Sequence, residues 1–208
     1  MMSNIFCIIM GYFIGTLSPA ALFSKIKKKN LKHHGTGNLG ATNTMLVLGK
    51  RYGALVMVFD IAKSFAAVKL AEKFFPALSL AGLLAGSTSV VGHIFPFYLK
   101  FKGGKGLASY GGMVLALDPL LFAVLLFIGC ALMFIVNYGV VLPLSAAVLF
   151  PIINGIRSNS IGVFLIAFLL FPLLVISHRS NLLRIRQGEE IKIRDYLKSH
   201  LTKSEPVE

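Results

Sequence analysis

Charge is scarce in this chain. Of its 208 residues only 14% are charged, and eight are acidic. A soluble globular domain carries about a quarter charged residues and is close to half apolar. Here 56% are hydrophobic and the mean hydropathy is +0.78. That balance excludes an ordinary soluble domain and indicates an integral membrane protein. Cysteine is scarcer still, at two residues. Cys7 and Cys130 both lie in apolar runs, where they read as small buried hydrophobes, not a disulfide or a metal site. No metal or cofactor is expected. Internal repeats and low-complexity segments are missing, as is the Walker A pattern GxxxxGK[ST]. No stretch is long enough for a separate soluble domain, so residues 1–208 read as one polytopic membrane domain.

What is present is basic charge in a few places. The net charge is +13, from 21 basic residues. Nucleic acid is one partner for such a balance. Given the apolar runs, positive-inside bias and anionic lipid headgroups explain it better. The expected partners therefore include membrane lipids and no nucleic acid. The first apolar run lacks a basic n-region, and its Gly15–Ala20 tail leads straight into motif-bearing sequence. It reads as a retained span, not a cleaved signal.

A helix needs roughly 20 apolar residues to cross the hydrocarbon core. An all-α fold is expected, with spans near 4–23, 52–70, 77–97, 107–117, 120–136, 139–156 and 161–176. Asp118-Pro119 divides the long run from 107 to 136. Counting the short piece gives seven crossings; omitting it gives six. With seven, the loops at 24–51 and 98–106 and the tail at 177–208 share one side, holding 17 of the 21 basic residues. Positive-inside bias favours seven, with the N-terminus outside and the tail cytoplasmic. Residues 202–208 are expected to fray.

Two glycine-rich loops stand between the spans. Lys102-Gly103-Gly104-Lys105-Gly106 follows Gly92-His93-Ile94-Phe95-Pro96 and precedes a helix. Glycine lets backbone N–H groups approach an anion, lysine adds charge, and a helix N-terminus favours phosphate. The competing reading is a basic turn that anchors to headgroups. Gly35-Thr36-Gly37-Asn38-Leu39-Gly40-Ala41-Thr42-Asn43 combines three glycines with four hydrogen-bonding side chains. It reads as a second anion loop, or as a plain turn. Lys32 lies in the basic stretch before it. His93 is a polar candidate at a helix end. Asp60 and Lys63 share a helical face and read as a functional pair or a structural ion pair. After the last span come His178, a candidate for proton transfer or hydrogen bonding, and Asn181 and Arg184, which share a helical face. Gly188-Glu189-Glu190 ends that segment, which reads alternatively as a basic cytoplasmic end.

Taken in order, these segments resemble the PlsY-type acyl-phosphate:glycerol-3-phosphate acyltransferases, from about residue 11 to 190. The motifs are Ser18-Pro19, the 35–43 loop, Asp60-x-x-Lys63, Gly-His-x-Phe-Pro, Phe-Lys-Gly-Gly-Lys-Gly, and His-Arg-x-Asn with Gly-x-Glu190. The HxxxxD of soluble-type acyltransferases is absent; His200 and Glu205 come nearest. The resemblance implies a seven-helix enzyme of the bacterial inner membrane, with its site facing the cytoplasm. Its substrates would be acyl-phosphate and glycerol-3-phosphate, and its product lysophosphatidic acid. It implies His178, Asn181, Glu190 and Thr36 as catalytic residues. Lys32, Gly37, Asn38, Asn43, His93, Lys102, Gly103, Gly104, Lys105 and Gly106 would hold substrate or phosphate. A monomer is expected, in association with the enzyme that makes acyl-phosphate. Departures fall on the acceptor side. Thr36 stands where the family usually has Ser, Lys32 and Leu46 where it usually has Arg, and 137–143 is mostly apolar where a polar stretch is usual. Two rivals follow: a paralogue with a different or lost acceptor, and a small transporter of a phosphorylated solute. The missing paired halves speak against the transporter.

Overall fold

The computed structural model describes residues 2–195, and every regular element among them is helical. The fraying expected at 202–208 lies outside the described residues. Helix α1 (Met2–Thr16) and α2 (Pro19–Ile26) share the first apolar run. Pro19 has no N–H to donate to Gly15, so the ladder breaks between them. Ser18 restarts it as N-cap, its Oγ accepting from the Ala21 amide at 3.2 Å. Short α3 (Ala41–Leu48) ends at Gly49, whose φ of 99° suits glycine. Then come α4 (Lys50–Phe74), α5 (Ala81–Ile94), a 3₁₀ turn at Phe97–Leu99, and α6 (Leu107–Leu117). Asp118 caps α7 (Pro119–Val136), accepting from Leu121 N at 2.8 Å. Four helices follow: α8 (Val141–Ser158), α9 (Ile161–Phe168), α10 (Leu170–Ser177) and α11 (Arg179–Gln187).

Most helices lie where apolar runs predict them, and α6 has the expected bounds. Three differ. The run at 161–176 is two helices, because Pro172 cannot donate to the Phe168 carbonyl. Helix α4 covers 50–74, longer than 52–70. Helix α5 covers 81–94, shorter than 77–97, because a turn precedes it in which Leu78 N donates to Phe75 O at 2.9 Å. Four segments are long and apolar enough to cross a membrane: Met2–Ile26, Ala81–Leu99, Pro119–Val136 and Val141–Ser158. Ile161–Ser177, bent by 51° against α11, makes a fifth. Helix α4 has the length but also carries Asp60, Lys63, Lys69 and Glu72; α6 has only 11 residues.

Small residues bring the inner helices together. Gly11 and Gly15 of α1 face Ala85 and Ser89 of α5. Gly92 faces the Tyr12 carbonyl, and Gly112 of α6 faces Ile61 of α4. A Cβ at any of these would overlap backbone. Close backbone approach is what associates helices where the surroundings are themselves apolar. Val68, Val90, Tyr110, Met113, Phe150 and Leu174 fill the core between this group and α7–α10. The 31–43 loop, the loop before α6 and the end of α10 meet at one end of the bundle, and the candidate residues gather there.

Candidate active site

The 31–43 loop is folded by Asn43, which is fully buried in the first turn of α3. Its Nδ2 donates to the carbonyls of Leu31 and Asn38, both at 2.8 Å, and its Oδ1 accepts from Thr36 N at 2.7 Å. All three bonds are internal, so Asn43 shapes the loop and leaves substrate contact to others. Gly35 and Gly37 have φ of 61° and 73°, and a Cβ on Gly35 would strike Asn43 Oδ1. Asn38 donates to Thr36 Oγ1 at 3.1 Å and accepts from Gly40 N at 3.1 Å. Thr36 itself is exposed.

The second loop is fastened to the first. Leu39 N donates to Gly103 O at 3.3 Å, and Lys32 Nζ donates to Leu99 O at 3.0 Å. Gly103 and Gly104 do not offer their amides to an anion as the sequence reading expects. Those amides donate to Ile94 O at 3.0 Å and His93 O at 3.2 Å, capping the C-terminus of α5. Helix ends leave four carbonyls without partners, and these two glycines satisfy two of them. Both are needed at close range, since a Cβ on Gly103 would strike the His93 carbonyl and one on Gly104 the His93 ring. The donors left for an anion begin at Lys105. Gly106, at φ 95°, opens α6 with no side-chain cap, so the first-turn amides of α6 have no partner among the described residues. Lys102 is exposed beside them.

Lys105 sits over that helix start and joins it to the C-terminal motif. Its Nζ donates to Asn181 Oδ1. Asn181 Nδ2 donates to Glu190 Oε1 at 2.6 Å, and Arg184 Nε pairs with Glu190 Oε2 at 2.6 Å. Ser177 Oγ donates to the Lys105 carbonyl at 2.8 Å. His178 is buried, and its Nδ1 lies 2.9 Å from Leu174 O. A carbonyl only accepts, so Nδ1 carries the proton, and in the neutral ring Nε2 is an acceptor without a partner among the described residues.

His93 lies beneath this surface, not on it. It is buried with Asp60 and Lys63. Lys63 Nζ is 2.7 Å from Asp60 Oδ1, 3.0 Å from His93 Nδ1 and 2.7 Å from Leu17 O. Asp60 Oδ1 is held by ion contacts without an aligned hydrogen bond. The cluster ties α1, α4 and α5 together under Gly104. His93 therefore supports the loop from below, which corrects its expected place among the phosphate contacts.

The electrostatics suit an anion. Burial pulls the Lys105 ammonium below its ordinary pKa, and nearby Arg184 adds to this while Glu190 opposes it. Lys32 is lowered by burial and then by Lys102 and Lys100. Burial and then Lys105 lower His178, against the Leu174 hydrogen bond and Glu190, which favours its neutral ring. Crowded cations without enough carboxylates gain most from a bound dianion.

The glycerol-3-phosphate acyltransferase family model matches residues 5–188. The chain belongs to that family. It is an acyltransferase. Curated family members are similar over nearly their whole length. One from Thermoanaerobacter sp. (strain X514) is 34% identical over 186 residues, covering 89% of this chain and 93% of its own. One from Staphylococcus aureus (strain Newman) is 35% identical over 206 residues, covering 93% and 99%. The fold is similar to crystal structures of PlsY, an integral membrane glycerol 3-phosphate acyltransferase. The glycerol 3-phosphate form aligns with a TM-score of 0.82 at 30% identity, over 92% of this chain and 96% of that one. The lysophosphatidic acid form gives 0.79 at 29%, over 91% and 95%.

Set against the family's chemistry, two residues are missing from the sequence-derived site. Ser177 anchors the Lys105 backbone, and Arg184 completes the Glu190 carboxylate. The Asn181–Arg184 spacing carried a signal for Arg184. Ser177 carried none, because a serine at a span end is ordinary. Leu46, where the resemblance expects a cation, is an exposed residue of α3.

Proposed function

We propose that the chain transfers a fatty acyl group from an acyl-phosphate to the sn-1 hydroxyl of glycerol-3-phosphate, releasing lysophosphatidic acid and inorganic phosphate. The observation that carries this is Lys105, bound to Asn181 and through it linked to Glu190, above the uncapped start of α6. An acyl-phosphate is an activated mixed anhydride, so positioning and charge stabilisation supply most of the catalysis. The hydroxyl oxygen attacks the carbonyl carbon, and the bond from that carbon to the phosphate oxygen breaks. The departing phosphate takes the hydroxyl proton. His178 Nε2 accepts a hydrogen bond from the other hydroxyl of glycerol-3-phosphate and so orients the acceptor. The α6 amides and Lys105 hold the donor phosphate, and Thr36 and Asn38 face the acceptor. Purified protein given glycerol-3-phosphate should form lysophosphatidic acid from acyl-phosphate, read by mass spectrometry. Turnover only from acyl-CoA or acyl carrier protein would sink the donor reading. Acylation of another acceptor alone would favour the paralogue.

Leu46 bears on the acceptor. Lys32, Lys50 and Arg51 are the cations nearest in sequence to take over the glycerol-3-phosphate phosphate. Leu46→Arg is expected to lower KM for glycerol-3-phosphate several-fold with kcat nearly unchanged, since a ground-state phosphate contact acts on binding. A change in kcat with constant KM would count against this role.

The proposed topology is seven crossings, with the site facing the cytoplasm of a bacterial inner membrane. Single cysteines at exposed positions 34, 102 and 189, in a background lacking Cys7 and Cys130, should label from the cytoplasmic side, and one at position 2 from outside. Labelling of 102 and 189 from opposite sides would exclude seven crossings.

A further inference from the structure

Asn137 ends α7 in the left-handed region, at φ 69° and ψ 23°. Asparagine is a common helix terminator there, which accounts for its backbone. It does not account for its side chain. Asn137 Oδ1 accepts from Arg194 N at 2.9 Å, and its carbonyl accepts from Ile193 N at 3.2 Å. Arg194 donates its guanidinium to Phe134 O at 2.9 Å. Ile193 packs over Gly139. The segment after α11 is therefore fixed at two points. Glu190 is bound to Asn181 and Arg184 at its start, and residues 193–194 are bound to the α7–α8 turn at its end.

Gly188, at φ 75° with open space around it, precedes the first point, and only a few residues separate the two. Glycine allows the chain to leave α11 in many directions. The four steps from Glu190 to Arg194 span at most about 14 Å, so an end pinned at Arg194 confines Glu190. Released from Asn137, the segment would pivot at Gly188 and carry the carboxylate off Asn181. Asn181 in turn holds Lys105 Nζ.

Resting on the site reading above, we propose that Asn137 is a positioning residue for acyl transfer. It pins the segment at 193–194, keeps Glu190 on Asn181, and so keeps Lys105 aimed at the donor phosphate. The residue lies outside every motif that carries the family resemblance.

Two substitutions separate this role from helix termination. Asn137→Gly keeps the left-handed turn and removes the Oδ1 acceptor. Asn137→Asp keeps both. The full-length enzyme would be assayed for kcat and KM, using whichever acyl donor supports wild-type turnover. Tryptic cleavage at Lys192 would be followed in parallel by intact mass. Asn137→Gly should speed cleavage at Lys192 about tenfold and lower kcat about five- to tenfold, the scale of one hydrogen bond, with the glycerol-3-phosphate KM little changed. Asn137→Asp should restore both toward wild type. Faster cleavage with unchanged kcat would overturn the proposal, because the tether would then be structural only. Unchanged cleavage and kinetics would also overturn it, as would an equal kcat loss in both variants. Failure of acyl-phosphate as the wild-type donor would sink the donor reading separately, with the ratio of variant to wild type still deciding on Asn137.

Discussion

Lys105→Ala should lower turnover about 100-fold while the protein melts close to wild type. Loss of one charged transition-state contact costs on the order of 3 kcal/mol, which is that factor in rate. The structure gives two reasons to expect the full effect. Lys105 is the cation at the uncapped start of α6, and its ammonium is also the donor that fixes Asn181. It forms no ion pair with a carboxylate among the described residues, so little folding energy goes with it. Its alkaline limit follows from its lowered pKa. A cation depressed below its ordinary range loses its charge earlier as pH rises, and phosphate affinity should weaken there first. Steady-state kinetics at varied acyl-phosphate, beside a thermal melt, makes the check. Near wild-type turnover would reduce the loop to a headgroup anchor.

Lys63→Met should cost stability instead. Removing the ammonium leaves Asp60 buried beside a histidine, with its main counter-charge gone. Breaking a buried pair on one side typically costs about 3–5 kcal/mol, most of it the uncompensated charge. The loss should appear as a lower melting temperature in detergent. The double variant Asp60→Asn with Lys63→Met should recover much of it, since no full charge is then stranded. If Lys63→Met alone melts like wild type, the ion pair does not hold α1, α4 and α5 together. Activity should fall with stability in the single variant, because His93 and Gly104 rest on this cluster.

Helix bounds were legible where punctuation is local. Gly106 and Asp118-Pro119 bracket α6 in the sequence and in the structure alike. Pro172 was equally visible but sits inside an unbroken apolar run, and hydropathy does not register a missing N–H. The site was legible as a set of residue types and not as a set of directions. Glycine and histidine signal close approach without saying which groups approach. Gly103 and Gly104 looked like an anion cradle, and their amides instead cap α5. His93 looked like a ligand and is a buried support. Asn43 looked like a substrate contact and has its amide taken up by the loop. Asn137 was invisible because its partners are backbone amides more than fifty residues away.

The shortness of α6 has a consequence for how the enzyme's rate must be expressed. Eleven residues rise about 16 Å, roughly half of a hydrocarbon core about 30 Å thick. The exposed Arg157 pairs with Asp118 at the far end of that helix, an ion pair suited to a water-facing edge. On the proposed seven-crossing topology, with that edge at one face, the reactive end lies about 14 Å inside the other face of the core, at the depth of the acyl chains. The proposed acyl-phosphate donor would then reach it by sliding sideways within its own leaflet, not by leaving it. Its effective concentration is then a mole fraction in the bilayer or micelle. Adding empty detergent micelles at constant total donor should slow the reaction as if substrate had been withdrawn, while the water-soluble acceptor continues to follow ordinary molarity.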